Sequence, residues 1–189
     1  VVDMPREIYI KNVSLQRTLS QYEDNFSAHG TLFVDISSGG LGITYMKNGF
    51  IKYQQNLHIG IIRIKEAFKR NEQANINFAR ALTEFIASNI GPVQEELSKE
   101  KVKYFVLTGA ESELILKLVN KNSNPKKLAH LAVEDFTAFY NKVRKLNVAQ
   151  IMKLYSLDEN QAELVLPTSI LYQKLLNLVS AEEILVPPD

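Results

Sequence analysis

Short apolar runs separated by small-residue turns mark the first third of the chain as strand-forming. Thr31-Leu32-Phe33-Val34 runs into Asp35-Ile36-Ser37-Ser38-Gly39-Gly40, and the chain resumes as Ile43-Thr44-Tyr45-Met46. Asn48-Gly49 then has the composition of a two-residue hairpin turn, and Phe50 to Gln54 follows as a third strand. This reads as an antiparallel meander. Before it, Ile8, Ile10, Val13, Leu15 and Leu19 predict a helix over 6–19. After it, Ile59 to Ile64 leads into a short helix over 65–68, and Ile76, Ala79, Leu82, Phe85, Ile86 and Ile90 predict a helix over 76–90. Gly91-Pro92 interrupts that helix, which resumes over 93–99. Val102 to Leu107 is a fourth strand, running into Thr108-Gly109-Ala110 and a helix over 111–119, with a polar, proline-containing loop over 121–127. Helices are predicted over 133–145, 148–155, 159–164 and 168–179, with Phe136, Phe139, Tyr140 and Val143 as packing residues, and Ile184 to Val186 closes the chain as a strand. The order of elements is that of an α/β protein with a helix-rich C-terminal part.

Composition narrows the possible functions. The chain has 189 residues, 46% hydrophobic, enough for one compact domain or two small subdomains. With 22 Lys plus Arg against 21 Asp plus Glu, the net charge of +1 argues against a nucleic-acid partner held by phosphate neutralisation. There is no cysteine, and the three histidines (His29, His58, His130) are scattered, so an oxygen-ligated hard cation is the remaining metal option. No apolar run approaches the roughly 20 residues that span a bilayer, so the expectation is a cytoplasmic protein without a membrane partner. Both ends are expected to be cut points within a longer protein, and the strand ending at Val186 is expected to leave an edge through which a homodimer could form.

The candidate chemistry lies in the two small-residue turns. In Asp35-Ile36-Ser37-Ser38-Gly39-Gly40 small residues let the main chain approach an anion, and the carboxylate at the strand end can hold a divalent cation against it. The alternative is a hairpin whose turn merely needs glycine. Thr108-Gly109-Ala110 places helix-start amides where a second anion contact could form. Glu111 reads as a favourable charge at that helix start, His58 as an edge histidine, and Lys121, Lys126 and Lys127 as solubilising loop residues.

The order of elements resembles one half of the actin-like ATPase (ribonuclease H-like) fold. Leu32 to Gly42 is similar to the signature of the Ppx/GppA phosphatases, whose strand ends in Asp-Ile-Gly-Gly-Gly-Ser-Thr-Glu. Asn56 to Ile64 resembles that family's third strand, Leu107-Thr108-Gly109-Ala110 its second phosphate loop, and Leu157 to Pro167 with Glu183 to Val186 its closing segment. The resemblance implies that residues 1–189 are the C-terminal half of an exopolyphosphatase or guanosine pentaphosphate phosphohydrolase module, whose cleft needs a missing N-terminal half. It implies Asp35 as the magnesium-associated carboxylate and Ser37, Ser38, Gly39, Gly40, Thr108, Gly109 and Ala110 as phosphate-binding positions. Glycine stands at Gly42 where the signature has glutamate, and Pro5 falls near the family's water-activating glutamate, leaving Glu7 as the candidate base. Three functions therefore stand: a phosphohydrolase acting on polyphosphate or a phosphorylated guanosine nucleotide, a degenerate member that binds such ligands or a protein partner as a sensor, and a nucleotide-binding protein sharing only the fold.

Overall fold

The expected meander forms as β1 (Thr31–Ser37), β2 (Gly40–Lys47) and β3 (Phe50–Leu57), paired antiparallel throughout. The computed structural model describes residues 4–22, 26–37, 40–57 and 76–188. Between β2 and β3, Asn48 (φ 53°) and Gly49 (φ 79°) both take the left-handed conformation, the geometry that an Asn-Gly hairpin turn requires. The strand β4 (Tyr104–Thr108) lies parallel to β1, and β6 (Glu183–Val186) lies parallel to β4. A short strand β5 (Ala129–Ala132) adds antiparallel to β6, giving a six-stranded sheet in the order β3-β2-β1-β4-β6-β5.

Side chains alternate across β1, so each face of the sheet receives its own layer. Leu32, Val34 and Ile36, with Phe105, Leu107 and Ile184, form the larger core with α2 (Ile76–Asn89), α3 (Gly91–Leu97), α4 (Ala110–Val119), α5 (Val133–Val143), α6 (Val148–Tyr155) and α7 (Glu159–Val179). On the other face Phe33, Met46, Tyr104, Val106 and Leu185 pack with Leu15 and Leu19 of α1 (Met4–Tyr22) and with Phe26. The helices α6 and α7 each begin with a reciprocal capping box, Asn147 with Gln150 and Asp158 with Gln161, which satisfies two first-turn amides apiece.

Several sequence expectations are corrected. Phe85 is 39% exposed rather than a core residue, because Ala79, Leu82, Ile86 and Ile90 define a narrower stripe that leaves it to one side. The expected break at Pro167 is absent, and one 21-residue helix runs through it. Every side chain from Val165 to Tyr172 is buried, so packing holds the helix together despite the missing amide. The strand β5 lies outside the elements that the sequence pattern predicts. It also means that β6 is paired on both sides and leaves no free edge at Val186; the edge strand on that side of the sheet is β5. The expected segment over 59–68 lies outside the described residues. No helix among the described residues is long and apolar enough to cross a membrane.

Phe105 is fully buried at the centre of the sheet, whereas Phe50 is 72% exposed. Phe105→Ala should therefore cost about 3–5 kcal/mol, and Phe50→Ala should stay within about 0.5 kcal/mol of the parent. Urea unfolding of the two variants measures the contrast.

Candidate functional site

The site is built by strand register. Asp35 stands opposite Gly42 of β2 on one side and Thr108 of β4 on the other, and Gly42 in turn faces Asn56 of β3. Alternation puts Asp35 on the same face as Phe33, beneath α1. Because β1 and β4 run parallel, their carboxyl ends bring Asp35 and the Thr108-Gly109 turn together although they are far apart in sequence. Open α/β sheets present ligands at such carboxyl ends.

Gly109 is where the two turns touch. Its φ of 103° lies in the region favouring glycine, and a Cβ there would sit 2.6 Å from the Ile36 carbonyl oxygen and 3.2 Å from Asp35 Oδ1. Gly109 supplies no side-chain cap to α4, and of the opening amides that of Ser112 donates to the Gly109 carbonyl at 3.2 Å, leaving those of Ala110 and Glu111 without an intrahelical acceptor. Ser112 Oγ donates to the Gly109 carbonyl at 2.6 Å and holds the turn in place. Glu111 lies in the first turn of α4, as expected of a charge that favours a helix start.

Two partners of Asp35 escaped the sequence reading. Lys11 of α1 places its Nζ 3.2 Å from Asp35 Oδ2. The second is electrostatic: Tyr172 of α7 is completely buried, and burial pushes its phenol far above the ordinary tyrosine range, with the negative charges of Glu111 and then Asp35 adding to the shift. The Tyr172 hydroxyl has no hydrogen-bond partner among the described residues, and neither do the buried hydroxyls of Thr108 and Thr168. Nothing local marks Lys11 as different from the other lysines. Tyr172, a polar-tipped residue inside the apolar run of a helix, did carry a signal.

Of the sequence-derived positions, Asp35, Gly40, Thr108, Gly109 and Ala110 gather at this end of the sheet, with Gly40 paired to Ser37 where β1 turns into β2. Ser38, Gly39 and His58 lie outside the described residues. Glu7 lies in α1, one turn before Lys11. Among the described residues no three His, Cys, Asp or Glu side chains gather where they could hold a metal ion. A groove of about 620 Å³ leads away from Ala110 along α4, between Leu114, Lys117 and Lys121 on one side and Tyr155 and Leu157 on the other.

The fold is shared with solved proteins. An exopolyphosphatase from Cytophaga hutchinsonii matches with a TM-score of 0.77 at 15% identity, over 93% of this chain and 58% of that one. A PPX-GPPA enzyme from Aquifex aeolicus matches with a TM-score of 0.73 at 15% identity, over 92% and 57% of the two chains. The type II variant of the Aquifex aeolicus Ppx/GppA phosphatase matches with a TM-score of 0.68 at 17% identity, over 85% and 53%. The chain thus spans a little over half the length of the structures it matches. No family model matches the sequence, and no curated protein is significantly similar to it. At these identities the likeness establishes the fold, and the α/β, actin-like architecture expected from the sequence is borne out.

Because the folded state keeps Tyr172 protonated where an unfolded tyrosine ionises near pH 10, the unfolded chain binds fewer protons above that pH and stability falls as pH rises, by up to about 1.4 kcal/mol per pH unit. The stabilisation is complete below pH 10. Tyr172→Phe should remove this share of the alkaline decline, measurable by urea unfolding between pH 8 and pH 11.

Proposed function

We propose that this chain is the C-terminal half of a Ppx/GppA-type phosphohydrolase module. Asp35, Thr108 and Gly109 then form one wall of a cleft that receives the terminal phosphate of polyphosphate or guanosine pentaphosphate, and an N-terminal half of the same protein supplies the other wall. The observation that carries this reading is the parallel register of β1 and β4, which sets Asp35 against Thr108 and the Gly109 turn at the carboxyl ends of the sheet. The groove along α4, with Lys117 and Lys121 on its wall, offers room for the remainder of a phosphorylated ligand.

Hydrolysis at such a site requires an activated water and neutralisation of the phosphate charge. On this reading Glu7 is the candidate base, and the family resemblance implies magnesium as the cofactor. A second reading, phosphate binding without turnover in a sensor, is favoured by Gly42, which faces Asp35 from β2 and has no side chain to bind a cation or position water.

Phosphate release from polyphosphate and from guanosine pentaphosphate by the full-length protein separates the two. Under the first reading release occurs and Asp35→Ala lowers it at least about a hundredfold, the scale of losing a transition-state electrostatic contact. Tripolyphosphate binding measured by calorimetry without any release would establish the second.

A further inference from the structure

Magnesium demands near-octahedral oxygen coordination and is commonly held through one or two carboxylates. Among the described residues, the groups directly against Asp35 do not fit that role. One carboxylate oxygen is engaged by the Lys11 ammonium at 3.2 Å, the residue facing Asp35 on β2 is Gly42, and the residue facing it on β4 is Thr108, a neutral hydroxyl. A metal ion at Asp35 would have to meet or displace a fixed positive charge.

We propose that Lys11 is the resident cation of this site, so that a phosphate group is bound there as a metal-free anion. The inference rests on reading the site as an anion site. An ammonium has three hydrogen-bond donors and Asp35 takes one, which leaves two for phosphate oxygens. Asp35 alone would repel an incoming phosphate. Paired with Lys11, it instead positions a cation between itself and the ligand, with the Ala110 and Glu111 amides that open α4 as further donors and the buried Thr108 hydroxyl, without a partner among the described residues, beside Asp35. Leu15 and Leu19 of α1 hold that helix on the sheet through Phe33, Met46 and Tyr104, so Lys11 is delivered by a packed element. The Lys11 side chain is 45% exposed and that of Asp35 24%, which leaves the pair open to a ligand from solvent.

The test is calorimetric titration of the full-length protein with tripolyphosphate, in EDTA and in magnesium, alongside the thermal midpoint in magnesium alone. The wild-type protein should bind tripolyphosphate in EDTA. Lys11→Met should weaken binding by about tenfold or more, as expected for a lost charge-assisted hydrogen bond, and Lys11→Arg should retain most of it. Lys11→Glu sets a second carboxylate near Asp35, and its thermal midpoint should rise saturably with magnesium while that of the wild type does not respond. Tripolyphosphate binding that requires magnesium and ignores Lys11→Met would overturn the assignment while leaving the phosphate site intact. So would a wild-type midpoint that rises with magnesium and loses this response in Asp35→Asn. Absence of tripolyphosphate binding under every condition would remove the phosphate site itself, and this inference with it.

Discussion

The parallel pairing of β1 with β4 is the constraint on which the site depends. Its register, from Thr31 against Tyr104 to Asp35 against Thr108, decides which turn meets which. Gly109 can approach Ile36 and Asp35 so closely because it lacks a Cβ, and it occupies a conformation that other residues adopt at a cost. A different residue there would push α4 away from β1, and the two turns would no longer share one space.

The same register separates chemistry from packing. Along β1 the even positions Leu32, Val34 and Ile36 enter the larger core, while Phe33 and Asp35 face α1. A slip of one residue would exchange these sets, sending a carboxylate into the apolar layer and three aliphatic side chains to the thinner one. Burial of both faces makes that exchange costly, so the hydrophobic layers on either side fix the position of the charged group. The same logic places Thr108, which follows Tyr104 and Val106 on the α1 face of β4.

What could be read from the chain was what local patterns encode. The Asn48-Gly49 turn, the Asp35 strand end, the Thr108-Gly109 helix start and the helix over 148–155 each carry their signal within a few residues. The four residues Ala129 to Ala132 form a strand only because β6 is there to pair with, and their composition does not announce it. Pro167 reads as a break by propensity, and only the buried surroundings of α7 override it. At the site, Asp35, Thr108 and Gly109 are visible as motifs and Tyr172 stands out as a polar tip in an apolar run, whereas the relation of Lys11 and Tyr172 to Asp35 exists only after helices on opposite faces of the sheet have docked.

The underside of α1 has a further consequence. Leu15 and Leu19 give it an apolar footing, but Asn12 and Gln16 are also buried, and Gln16 Nε2 has no hydrogen-bond partner among the described residues. A buried polar atom without a partner reduces the stability of the segment that carries it. The helix carrying Lys11 therefore rests on a foundation that is only partly apolar. Local opening of that helix would lift the ammonium away and leave Asp35 as a bare negative charge, so the charge presented at this end of the sheet is linked to the docking of a helix on the far side of the sheet from most of the core.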